Sequence, residues 1–447
     1  MEFQLVVLIG CLLCVVNSLN NSDGNETSCQ SSRISHRSHY ASKTAYEVVR
    51  DQNENRESNA EGCVPLKFWL LSQHGTRLPG KKDIRALSSE LNNLRKSILK
   101  NSKSEKIFTI CPADLERLRA WRWNNSITVD RASYLTEQGW NDLKSLAERM
   151  KQRFPGIFSE EYSKSKYLFR YTDTQRTEES YKAFAEGLFG KGAHNFIEAE
   201  TETDRDTLLR PYEACSAYGK NKKRIKKRDS ELNKFLESDL YLETVSDISD
   251  QLGFRTSLSS DQVEAMWDAC RYEQAWYLER PSPWCGVFNK NQVEVLEYKE
   301  DLKYYYQNSY GYEKSADLAC FTVVDMIRNF EYSNDPRVVA YFTHETQIQI
   351  FLTALGVFRD KKRLKAKNWD KMRMRLFKSS QLTPFAANVI AVAYNCSQGA
   401  DPVRVGFFLN EKELRLDWCR GQLCSLSELE QRYRRYIDGK CSKLYCK

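Results

Sequence analysis

Residues 66–79 read LKFWLLSQHGTRLP. Leu66, Phe68, Trp69, Leu70 and Leu71 form a short, bounded run of bulky apolar side chains, the pattern of a strand buried in a parallel sheet. The run cannot continue, because Gly75 frees the backbone and Pro79 has no N–H to give to a ladder. His74 and Arg77 are therefore expected in a tight loop at the strand's carboxyl end, the edge where open α/β sheets bind ligands. A solvated turn with an incidental histidine would fit the same residues, so the decision lies with the rest of the chain.

The same strand–turn–helix pattern recurs twice. Residues 167–171 read as a strand, Arg176 follows in the turn, and Tyr181, Phe184, Ala185 and Leu188 then mark a helix face ending before Gly190. Residues 338–343 are β-rich and apolar, His344-Glu345-Thr346 follows, and Ile348, Phe351, Leu352 and Leu355 recur at helical spacing. Each unit delivers a cationic or titratable group to a strand end beside a helix N-terminus, which attracts anions. Helices are expected over residues 82–99 and 135–156, and further strands over 389–394, 403–409 and 413–416, the last two flanking Asn410-Glu411-Lys412 like a hairpin. Between residues 190 and 319 the alternation gives way to helical, charged and aromatic sequence. The expected fold is α/β: a mostly parallel sheet flanked by helices, with an inserted α-helical cap domain. Its core is assigned to residues 63–190 and 320–447, the cap to 191–319, and a polar, mobile N-terminal tail to 19–62.

Residues 1–18 have the apolar centre and small-residue end of a secretory signal peptide, too short to span a bilayer. Of fourteen cysteines two lie in that segment, and the twelve left suit an oxidising compartment. Cys270 with Cys285, Cys419 with Cys424, and Cys441 with Cys446 are the close pairs available for bridges. Sequons stand at Asn20, Asn25, Asn124 and Asn395. The chain is thus expected to be secreted or lumenal, with no membrane span and no nucleic-acid partner. The net charge is +8, and its densest run is Lys220, Lys222, Lys223, Arg224, Lys226, Lys227 and Arg228. Such a run is most often a solvated face; in a secreted protein it is also available to anionic glycans or polyanionic substrates.

His74-Gly75-x-Arg77-x-Pro79 after a buried strand resembles the signature of the histidine acid phosphatases, Arg-His-Gly-x-Arg-x-Pro, with Gln73 where the family has its first arginine. Ser282-Pro-Trp-Cys285-Gly-Val-Phe, Leu296-Glu-Tyr, Asp301-Leu-Lys303 and Tyr310-Gly-Tyr312 resemble the multiple inositol polyphosphate phosphatase branch of that superfamily. The resemblance implies a metal-independent phosphatase with no cofactor and a small phosphorylated substrate, inositol polyphosphates such as phytate. It makes His74 the nucleophile that forms a phosphohistidine, His344 a phosphate-stabilising residue and Glu345 the proton donor. Gln73, Arg77, Lys82 and Arg176 are the expected substrate-binding residues. His344-Glu345-Thr346 differs from the family's His-Asp and His-Ala-Glu forms. A second reading follows from that and from Gln73: an impaired relative that binds phosphorylated or polyanionic ligands with little turnover. A third makes the fold a scaffold for glycan binding through the basic run.

Overall fold

The computed structural model describes residues 37–52, 62–103, 108–159, 161–331, 336–397 and 401–446. Its sheet consists of β1 (Cys63–Gln73), β2 (Tyr167–Thr172), β3 (Glu200–Glu202), β4 (Val338–Thr343), β5 (Asn388–Cys396), β6 (Val403–Leu409) and β7 (Lys412–Leu414), with a short eighth strand on β6. The spatial order is β3-β2-β4-β1-β5-β6-β7. From β3 to β1 every pairing is parallel, and β5 to β7 add an antiparallel half. β4 lies between β2 and β1, in register from Phe68 opposite Val338 to Gln73 opposite Thr343. Three neighbouring strands therefore end at one edge, and these are the three whose ends carry Arg176, His344 and His74.

Alternation along the strands builds two cores. Phe68, Leu70, Val338, Ala340 and Phe342 face one side, while Trp69, Leu71, Val339 and Tyr341 face the other. The first side is covered by α2 (Glu137–Arg153) and α3 (Gln175–Phe189) through Leu143, Leu146, Ala147, Met150, Tyr181, Phe184 and Leu188. α1 (Lys81–Asn101) contributes its apolar face, Leu87, Leu91, Leu94 and Ile98, to the other core. That core also takes in α4 (Ser260–Trp276), α5 (Lys290–Asn308), α6 (Cys320–Glu331) and α7 (Glu345–Leu355). Buried side chains of the size of Trp69 or Phe351 each contribute roughly 1.5–3 kcal/mol. Asn410 and Glu411 both adopt positive φ, 50° and 69°, the conformation a two-residue hairpin between β6 and β7 requires.

Three expectations change. Residues 200–202, inside the stretch expected to be a helical insertion, form β3 and extend the sheet beside β2. Part of the supposed mobile tail is an integral strap: Tyr40, Ala41, Thr44, Tyr46 and Val49 are buried, and Tyr46 donates to Glu411 at 2.7 Å. His39 in the same strap contacts Glu297 through Nδ1 at 3.0 Å. Average composition over the segment concealed this strap, because its partners are hundreds of residues away. Finally, Cys441 pairs with Cys320 and Cys446 with Cys215, not with each other. Cys441 opens a helical turn, Cys441–Leu444, and Cys446 lies beyond its end at φ 62°, so the two cysteines meet different partners. The expected pairs Cys270–Cys285 and Cys419–Cys424 do form, and Cys63–Cys396 joins β1 to β5. The signal peptide expected at 1–18, Asn20 and Asn25 lie outside the described residues, whereas Asn124 and Asn395 are exposed. Among the described residues no helix is long and apolar enough to cross a membrane.

Candidate active site

The loop after β1 is fixed by backbone contacts. His74 N donates to Thr343 O at 3.0 Å, Gln73 N to Ala387 O at 2.7 Å, and Ala386 N to His74 O at 3.1 Å. Gly75 lies directly on the first turn of α2, and a Cβ there would fall on the carbonyl of Gly139. Only paired glycines let the two backbones approach so closely. Thr136 closes the contact, donating through N and Oγ1 to Thr76 O, both at 2.9 Å. From α3, Ser180 Oγ accepts from Gly75 N at 3.0 Å.

Beneath this loop Asp142 accepts from Thr76 N (3.0 Å), Thr76 Oγ1 (2.7 Å) and Gln138 Nε2 (2.8 Å). Burial pushes its pKa up from 3.8 to about 6, against the hydrogen bonds that favour the carboxylate. The folded state therefore binds the proton more tightly than the unfolded chain, so this contribution is present below pH 3.8 and lost as pH rises through about 6. Asp142→Asn is expected to flatten the fall in stability between those values by up to about 3 kcal/mol. Thermal melting of both proteins at pH 4 and pH 7 checks this, and an unchanged difference would contradict it.

His74 and His344 are both buried, with ring centroids 5.6 Å apart in an edge-to-face arrangement. Nδ1 of His74 is 2.9 Å from Gly75 O; as the donor there it leaves Nε2 with its lone pair. Burial holds the His74 pKa well below 6.5, reinforced by the charges of Arg176, His344 and Arg77. The imidazole is thus neutral in mildly acidic solution, as a nucleophile must be. His344 is held the other way round. Arg176 donates to its Nδ1 at 3.2 Å and its Nε2 lies 3.0 Å from Thr172 Oγ1, which in turn donates to Thr177 Oγ1 at 3.1 Å. This chain assigns the proton to Nε2. Burial, then Arg176, Arg210 and Arg77, hold the His344 pKa well below the usual value.

The guanidiniums are prepared for an anion. Arg176, in the first turn of α3, has a pKa lowered to about 10 by burial and by Arg77, so it stays charged at neutral pH. Arg77 donates to Tyr272 Oη at 3.2 Å; burial opposes its charge, but Tyr272 and Glu345 outweigh that and raise its pKa. Nε of Arg176 and Nε of Arg210 are buried with no partner among the described residues. Unmet guanidinium donors beside two imidazoles are the donors an oxyanion would satisfy.

Arg77, Arg176, His74 and His344 are thus brought together as expected. Glu345 opens α7, half-buried, with its charge felt by Arg77, Tyr304 and Tyr218. Gln73 is 2% exposed and its Oε1 has no partner among the described residues. Lys82 lies exposed in the first turn of α1. The cations of the 220–228 run are exposed, and Lys220 and Arg224 border a cavity of about 620 Å³ with Tyr306, Tyr312 and Arg363. Sequence reasoning missed Arg210, whose only signal was a turn before Pro211, and also Tyr272, Asp142 and Thr172, whose roles depend on long-range contacts.

Comparison with known proteins places this chain among relatives. The model of the histidine phosphatase superfamily (branch 2) matches residues 68–409. The chain is 42% identical over 414 residues to multiple inositol polyphosphate phosphatase 1 of Drosophila melanogaster, covering 91% of this chain and 87% of that one. It is 27% identical over 389 residues to the protein of the same name from Gallus gallus, covering 84% and 83%. Among solved structures, the phytase from D. castellii superposes with a TM-score of 0.71 at 16% identity, over 90% of this chain and 86% of that one. The Bifidobacterium longum multiple inositol polyphosphate phosphatase complexed with inositol hexasulfate gives 0.65 at 13% identity, over 88% and 97%.

Proposed function

We propose that this chain, which belongs to the histidine phosphatase superfamily (branch 2), releases phosphate from inositol polyphosphates through a phosphohistidine on His74. The observation that carries the reading is the convergence of a neutral, buried His74 with Arg77, Arg176 and His344 at the ends of three adjacent strands. Nε2 of His74 attacks phosphorus as the P–O bond to the leaving alkoxide breaks. Arg77, Arg176 and His344 stabilise the charge on the equatorial oxygens. Glu345 is the donor of the proton that goes to the departing oxygen. Water then cleaves the phosphohistidine, regenerating neutral His74 and releasing phosphate. In this reading the helical stretch 191–319 is the cap over the site, Lys82 and the basic run add a field favouring polyanions, and the protein works in a secretory lumen or outside the cell.

Gln73 favours the second reading, a ligand-binding protein with little turnover. Glutamine presents a neutral amide where arginine would present a permanent charge and a forked donor, and a missing donor at an oxyanion typically costs ~10²–10³ in rate. Phosphate release from inositol hexakisphosphate across pH 4 to 8 separates the two readings. Release by the parent, rising about tenfold or more in Gln73→Arg, is the expected result. A parent with no release at any pH would leave only the binding reading.

A further inference from the structure

The N-terminal strap is joined to the catalytic loop through three consecutive residues. Phe385 N donates to Thr44 O at 3.1 Å, Ala386 N to His74 O at 3.1 Å, and Ala387 O accepts from Gln73 N at 2.7 Å. Ala45 packs in one cluster with Tyr272, Ala275 and Phe385. The strap therefore stands in a fixed position beside the nucleophile, and the side chain it presents there is Lys43.

Lys43 Nζ lies 5.6 Å from the centre of the Tyr272 ring. Arg77, whose Cζ is 6.0 Å from the same centre, donates to that ring's hydroxyl at 3.2 Å. One tyrosine thus links Lys43 to a guanidinium of the phosphate-binding cluster. The carboxylates whose charge acts on Lys43 are paired with other cations: Asp268 with Arg271 at 2.5 Å, and Glu300 with Lys303 at 3.4 Å and Lys299 at 3.9 Å. The Lys43 ammonium makes no ion pair among the described residues. Burial, followed by the charge of Arg271, lowers its pKa from 10.5. A half-buried ammonium whose neighbouring carboxylates are already paired with other cations is stabilised when something anionic completes its environment.

We propose that Lys43 binds a phosphate of the substrate other than the one transferred to His74, so that the strap forms a wall of the substrate cavity and selects polyphosphorylated over singly phosphorylated esters. This assignment rests on the polyphosphate reading of the site. Tyr272 serves both halves, orienting Arg77 toward the reacting phosphoryl group and supporting Lys43 at the neighbouring subsite.

The test compares kcat and KM of the parent, Lys43→Met and Lys43→Arg on inositol hexakisphosphate and on p-nitrophenyl phosphate. In Lys43→Met the loss of kcat/KM on the hexakisphosphate should exceed that on the singly phosphorylated ester by about tenfold, the worth of one charge-assisted contact. It should lie in KM, and Lys43→Arg should recover most of it. Equal losses on both substrates, with a lowered melting temperature, would mean a structural lysine and overturn the proposal, as would no loss on either. Calorimetry of inositol hexakisphosphate binding to His74→Ala, with and without Lys43→Met, gives a second readout that needs no turnover. About tenfold weaker binding is expected, and undiminished affinity would overturn the assignment. Binding through Lys43 without phosphate release by the parent would defeat the hydrolytic reading while leaving the assignment of Lys43 intact.

Discussion

Replacing His74 by alanine is expected to lower phosphate release from inositol hexakisphosphate by about 10⁴-fold or more, the scale seen when a covalent nucleophile is removed. The expectation rests on the state in which the fold holds this side chain. Its Nδ1 faces Gly75 O at 2.9 Å, its burial is nearly complete, and neighbouring cations suppress protonation. The other imidazole at the site cannot take its place as nucleophile: the Nδ1 lone pair of His344 accepts from Arg176, and its Nε2 carries the proton. Because Gly75 and Thr76 are pinned by Ser180, Asp142 and Thr136, the truncation should leave the loop intact, with an unaltered circular dichroism spectrum. Rapid quenching with radiolabelled substrate should trap an acid-labile phosphoryl group on the parent and none on His74→Ala. Comparable turnover in the two proteins would remove His74 from the mechanism.

Arg176→Ala is expected to lower kcat/KM by about 10²–10³-fold, the usual worth of one donor to a developing oxyanion, and to shift the pH profile as well. Arg176 is the leading charge holding the His344 pKa down after burial itself. Without it His344 gains a proton more readily, so the acid limb that reflects His344 protonation should move to higher pH. Arg176→Lys keeps a charge but loses the fork, and should recover the pH profile better than the rate. An Arg176→Ala protein with parental kcat/KM would show that the guanidinium serves only to orient His344.

Much of this site was legible before the fold. The turns after residues 73, 172 and 343 each brought a cationic or imidazole side chain to the end of a strand, and the unbroken apolar runs of β1 and β4 required burial on both faces. The boundaries of β4 and the helical faces of α2, α3 and α7 follow from local periodicity, because side-chain direction repeats every two or 3.6 residues whatever the rest of the chain does. Arg210 could not be found that way. It lies in irregular chain after β3, and only the packing of that loop brings its charge onto Arg176 and His344. Nothing in the local sequence marks Asp142, whereas Gly75 and Gly139 bring α2 so close to the catalytic loop that its carboxylate becomes the acceptor for Thr76.

The sequence by itself determined that three strand–turn–helix units deliver His74, Arg176 and His344 to one kind of edge, since local propensity, glycine and proline placement and apolar spacing act over a few residues. Tertiary structure alone decided that β4 inserts between β2 and β1, which makes those edges neighbours. It also decided the protonation of the two histidines and the tautomer of His344, because these follow from burial and chiefly from groups more than a hundred residues away in the chain. The strap shows the same division most clearly. Residues 37–49 have no periodicity of their own, and they acquire a structure and a place beside the nucleophile only through Phe385, Glu297 and Glu411, contacts that exist once the whole chain has closed around them.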